Sequence, residues 1–106
     1  MIPSVSANEL AQELATGVPL KLLDVRETFE LEISRLDNVV HIPMGELPSR
    51  LNELDAKENW VIVCRSGARS AHVTETLLAN GFSTVRNLDG GMNGWARLVD
   101  PNLATY

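Results

Sequence analysis

Five short strand-like runs, two of them nearly all apolar and all separated by stretches of helical periodicity, limit what this chain can fold into. Residues 3–5, 20–25, 39–42, 60–64 and 84–88 read as strands. The second and fourth are nearly all apolar rather than alternating, the pattern of strands covered on both faces. Ser6 and Glu9 have the spacing of a capping box, in which the Ser6 hydroxyl takes the Glu9 amide and the Glu9 carboxylate reaches back. The helix that follows carries Leu10 and Leu14 four apart, with Gly17 and Pro19 as its stop. Residues 27–33 read as a short helix. Residues 46–54 read as an amphipathic helix with Leu47, Leu51 and Leu54 on one face, opened near Pro48. Residues 70–80 read as a helix with Val73, Leu77 and Leu78 inward and Gly81 past its end. Asp89-Gly90-Gly91 turns into a last helix containing Trp95. Alternation of strand and helix throughout predicts an α/β fold, a parallel sheet between two helical layers. Trp60 and Trp95 are expected to anchor its core. With no repeat, linker or low-complexity tract, residues 1–106 are read as one domain.

Composition argues against several functions. Net charge is −5, which argues against a nucleic-acid partner, since that needs a basic face. The single cysteine permits no intramolecular disulfide and no dithiol redox cycle. Any sulfur chemistry at Cys64 must therefore be resolved by an outside molecule. No charged and apolar leader precedes Pro3, and no apolar run nears the ~18 residues of a membrane span, so a cytoplasmic location is expected. Without a cysteine pair or a His/Asp cluster, no metal site is expected.

Cys64 ends the most apolar strand, and Arg65, Ser66, Gly67, Ala68, Arg69 and Ser70 follow before a helix. A cysteine at the end of such a strand is, by position alone, a small buried hydrophobe. The residues after it oppose that reading, because two arginines flanking a glycine make a poor apolar core. A tight strand-to-helix loop points amides inward, and the helix N-terminus adds about half a positive charge. A thiolate there is expected to be stabilised. A persulfide's terminal sulfur is also anionic and suits the same amides. Arg69 lies five positions after Cys64, giving Cys-x4-Arg, one residue short of the Cys-x5-Arg of cysteine phosphatases. The shorter loop encloses a space better suited to one sulfur atom than to phosphate.

Three segments carry a resemblance. Leu22-Leu23-Asp24-Val25-Arg26-Glu27, Cys64-Arg65-Ser66-Gly67-Ala68-Arg69-Ser70 and Leu88-Asp89-Gly90-Gly91-Met92-Asn93-Gly94-Trp95 are similar to the signature segments of the rhodanese superfamily, in the family's order. The resemblance implies a five-stranded parallel sheet in the order 3-2-4-5-1. Asp24 then lies at the same sheet edge as Cys64, where ligands bind in such folds. It implies thiosulfate-type sulfurtransferase activity without a cofactor. Where many members continue Glu-x-Glu with Gly-His-Ile-Pro-Gly-Ala, this chain has Ile33-Ser34-Arg35-Leu36-Asp37-Asn38. That stretch, Ile42-Pro43-Met44-Gly45-Glu46-Leu47-Pro48, and the segment from Trp95 to Pro101 with Tyr106 are similar to the C-terminal rhodanese domain of adenylyltransferases serving ubiquitin-like sulfur carrier proteins. This likeness implies such a carrier, or its adenylyltransferase, as a partner beside the small sulfur donor. No adenylating domain accompanies it, so the chain is a free-standing relative or an excised piece.

Roles follow from both lines. Cys64 is the expected nucleophile, working in two covalent steps. Arg69 orients the loop or stabilises the anion, against the alternative of a surface cation. Arg65 attracts the donor's charge, against plain solvent exposure. Gly67 lets the amides turn inward. Ser66 and Ser70 offer hydroxyls to the sulfur, with helix capping an equal reading for Ser70. Asp24 could bond loop amides or cap the next helix, and a supporting role is expected for it and Arg26. His41 and His72 are not expected to take part. The competing function is a rhodanese-like fold that docks a protein and does no chemistry, since fold alone does not decide activity.

Overall fold

A computed structural model describes residues 2–106, and Met1 lies outside the described residues. Strands β1 (Ser4–Val5), β2 (Lys21–Asp24), β3 (Val39–His41), β4 (Asn59–Val63) and β5 (Thr84–Leu88) form one parallel sheet in the order β1-β5-β4-β2-β3. Read from the other edge, this is the expected 3-2-4-5-1. The central strand β4 pairs with β2 on one side, Asp24 opposite Val63, and with β5 on the other.

Helices α1 (Ala7–Ala15), α2 (Thr28–Ile33), α3 (Leu47–Arg50), α4 (Ala68–Ala79) and α5 (Gly91–Leu98) connect the strands. Successive residues of a strand face opposite sides, so β4 feeds two cores. Trp60, Ile62 and Cys64 pack with Val73 and Leu77 of α4 and Leu47 of α3. Val61 and Val63 pack with Leu10 of α1 and Met92 and Trp95 of α5. Both tryptophans are buried. Burial of each large apolar side chain contributes about 1.5–3 kcal/mol, which makes β4 the most strongly held strand. Cys64 thus sits at the carboxyl end of the best-anchored element, on the α4 side.

Three expectations are corrected. The amphipathic helix over residues 46–54 is broken into 3-10 turns at Met44–Glu46 and Leu51–Glu53 around the four-residue α3. The break before the second turn falls at Arg50, whose φ of −122° and ψ of 10° leave the helical region, while Pro48 sits in the first turn of α3, where a missing N–H is tolerated. Helix α4 starts at Ala68, two residues early, because Gly67 at φ +109° makes the turn that opens it. Leu14 is 41% exposed, so the buried stripe of α1 is Ala7 and Leu10. Among the described residues no helix is long and apolar enough to cross a membrane.

Candidate active site

The loop from Cys64 to Gly67 is held from outside by α5. The first amides of a helix have no partner within it. Here the N–H groups of Met92 and Asn93 bond the carbonyls of Cys64 (2.8 Å) and Arg65 (3.0 Å). A peptide unit is planar, so a carbonyl turned toward α5 sends the next N–H the opposite way. The Ser66 amide follows the Arg65 carbonyl and is directed to the sulfur side. The Gly67 amide donates to Cys64 Sγ at 3.1 Å, and the Ser70 hydroxyl lies 3.2 Å from the same sulfur.

Cys64 is only 1% exposed, yet polar groups surround its sulfur. Burial pushes its pKa up; the Ser70 hydroxyl and the amides of Ser70, Gly67 and Ser66 outweigh that and hold it below the ordinary value. The twelve-residue α4 begins four positions after Cys64, so its positive end adds to the amides. The Ser70 hydroxyl has one hydrogen and three neighbours: Sγ, the Gly67 carbonyl at 3.2 Å, and Asn87 Oδ1. It donates to the sulfur only when that hydrogen turns from the other two.

The three arginines are placed differently. Arg69 donates both Nη1 and Nη2 to the Glu30 carboxylate, each at 2.8 Å. Arg69 is the main cause that pulls the Glu30 pKa down to about 2, against burial, with help from the Glu27 amide and the Tyr106 hydroxyl. Glu30 is therefore ionised at neutral pH and offsets the Arg69 charge. Arg26 is buried with Asp24, which accepts from its Nη2 at 2.8 Å, its Nε and its main-chain N–H. Arg26 also donates to the carbonyls of Glu30 and Ser34 and to the Tyr106 hydroxyl. Arg65 is exposed, and its guanidinium carbon stands 4.9 Å from the Tyr106 ring centroid.

Cys64, Ser66, Gly67 and Ser70 are therefore brought together around one sulfur, while the exposed Ala68 opens α4. Asp24 neither bonds the loop nor caps a helix. Its partner is Arg26, and the cap of α2 is Glu27, boxed with Glu30. The capping alternative for Ser70 is also corrected, since Gly67 holds the N-cap. His41 Nε2 lies 2.7 Å from the Arg26 carbonyl, and His72 is exposed on α4. Glu30, Asn87, Asn93 and Tyr106 have no role assigned from sequence, although Asn93 and Tyr106 belong to the segments that carry the resemblance. Glu30 meets Arg69 thirty-nine positions away and Tyr106 seventy-six away, and no local spacing signals either contact.

The profile of the family described as "Rhodanese-like domain" matches residues 6–98. The "Putative sulfurtransferase YtwF" of Bacillus subtilis is 38% identical over 100 residues, covering 94% of this chain and 96% of that protein. The "Putative sulfur carrier protein YrkF" of the same organism is 39% identical over 94 residues, 89% of this chain. The chain spans about half of YrkF, 51% of its length. It spans 27% of the "Probable adenylyltransferase/sulfurtransferase MoeZ" of Mycobacterium tuberculosis, at 31% identity over 97% of this chain. The crystal structure of a rhodanese-like domain protein from Staphylococcus aureus superposes with a TM-score of 0.85 at 35% identity, covering 99% of both chains.

Proposed function

The chain belongs to the rhodanese-like domain family, and from that premise we propose that it is a sulfurtransferase carrying sulfane sulfur as a persulfide on Cys64. The observation that carries this reading is the set of loop amides directed at a single thiol whose pKa is held down, with the Ser70 hydroxyl beside it. The name of YtwF, a relative matched along nearly its whole length, supports it.

The reaction has two steps. The Cys64 thiolate attacks the outer sulfur of a donor such as thiosulfate. The donor's S–S bond breaks, sulfite leaves with the bonding pair, and Cys64 holds a persulfide. A nucleophilic acceptor then takes the terminal sulfur, and the thiolate returns. Cyanide would serve in an assay, giving thiocyanate; a thiol or a sulfur carrier protein would serve in the cell. The Gly67 amide and its neighbours suit both anions, since each places negative charge on sulfur at the helix N-terminus. The names of YrkF and MoeZ support a sulfur carrier protein or its adenylyltransferase as the partner.

Intact mass tests the proposal. After incubation with thiosulfate and desalting, the protein is expected to gain one sulfur atom that reductant removes, and Cys64→Ala is expected to gain none. No gain in the wild type would favour the docking-module reading instead.

A further inference from the structure

Tyr106 touches all three arginines of the site, directly or through one carboxylate. Its main chain is clamped by Asn93, whose Nδ2 donates to the Tyr106 main-chain oxygen (2.9 Å) and whose Oδ1 accepts the Tyr106 N–H (3.1 Å). Its hydroxyl donates to Glu30 Oε1 at 2.8 Å and accepts from Arg26 Nη1 at 2.9 Å. Glu30 in turn holds Arg69. The ring is thus fixed at both ends, and the Arg65 guanidinium lies over its face.

Charge pairing selects among the arginines. Arg26 is fully buried and neutralised by Asp24, and Arg69 is engaged twice by Glu30. Among the described residues the Arg65 guanidinium makes no hydrogen bond or ion pair, so it keeps a full charge and its donors for a ligand. A free arginine side chain has many rotamers and loses them on binding an anion. A fixed aromatic face beneath it removes part of that cost beforehand, because the cation is drawn to the ring.

We propose that Tyr106 is a positioning residue, which holds Arg65 as the cation that recognises the anionic end of the sulfur donor. This rests on the sulfurtransferase reading and its anionic donor, and adds the residue that holds the recognising cation in place. The ring acts on binding and takes no part in breaking the S–S bond.

Steady-state kinetics with thiosulfate and cyanide separate this from a merely structural role. Tyr106→Ala is expected to raise the thiosulfate KM about two- to five-fold, the range of an exposed cation–ring contact, with kcat little changed. Arg65→Ala is expected to raise it about ten-fold, the loss of a charge-assisted contact. The double variant should be no worse than Arg65→Ala alone, and Tyr106→Phe, which keeps the ring, should recover most of the loss. An unchanged KM in Tyr106→Ala, a fall confined to kcat, or additive effects in the double variant would overturn the proposal. A binding readout that needs no turnover distinguishes its failure from failure of the sulfurtransferase reading. At constant ionic strength, the sulfate concentration that half-protects Cys64 from iodoacetamide should be about two- to five-fold higher in Tyr106→Ala than in the wild type. Equal concentrations would overturn the Tyr106 role whether or not the protein transfers sulfur.

Discussion

Asp24→Ala is expected to remove about 3–5 kcal/mol of folding stability, the cost of leaving one partner of a buried ion pair alone. Asp24 and Arg26 are both 0% exposed. Asp24 accepts three hydrogen bonds from the Arg26 side chain and one from its main-chain N–H. Removing the carboxylate leaves a guanidinium that cannot lose its proton and whose remaining acceptors, the Glu30 and Ser34 carbonyls and the Tyr106 hydroxyl, are neutral. A domain of this kind has only about 5–15 kcal/mol in total, so the variant should be partly unfolded near physiological temperature. Urea unfolding followed by far-UV circular dichroism measures this. A loss below about 1 kcal/mol, the scale of an exposed pair, would mean that the Arg26 charge finds water, contrary to the packing described.

Gly91→Ala is expected to cost roughly 2–5 kcal/mol, from an over-packed contact together with a left-handed backbone. Gly91 has φ +55°, and a Cβ there would stand 2.4 Å from the Cys64 carbonyl oxygen and 2.6 Å from the Arg65 carbonyl carbon and oxygen. These are main-chain atoms, so the clash is relieved only by moving α5 away from the sulfur loop. That movement breaks the Met92 and Asn93 bonds that aim the loop amides. Sulfur uptake should therefore fall even in the fraction that stays folded. Gly45→Ala is the control: nothing lies within 4 Å of its added Cβ and its φ is ordinary, so a change within about 0.5 kcal/mol is expected. Equal midpoints for the two variants in urea would contradict the close approach of α5.

The sheet was readable where burial leaves a plain mark. Residues 20–25 and 60–64 show as apolar runs because both faces of β2 and β4 are covered. The order of the strands was not in those runs; it came from the likeness of three segments to a family. The sulfur loop was readable because small residues after a strand end leave few backbone paths, and Gly67 takes the positive φ that the turn needs. Helix α3 is shorter than its leucine spacing suggests because that spacing reports which side chains face inward, not whether the backbone stays helical at Arg50. The supports of the site were hidden for a different reason. Glu30, Asn87, Asn93 and Tyr106 are ordinary polar residues in sequence, and their partners are set by the crossing of distant elements. Arg69 illustrates the consequence: its place after Cys64 suggests a cation for the sulfur, and nothing near it in sequence announces that Glu30 of α2 pairs with the same guanidinium, whose charge also acts on Cys64.

Sulfur transfer at Cys64 requires its thiol to ionise more readily than a free cysteine despite its burial. The direct measurement is the rate of Cys64 alkylation by iodoacetamide against pH, with an unstructured cysteine peptide alongside. Access sets the height of the curve, and ionisation sets its midpoint. The predicted midpoint lies below the peptide's and moves to higher pH in Ser70→Ala. A midpoint at or above the peptide's, unmoved by that substitution, would show a thiol packed as an ordinary core side chain and would contradict the account.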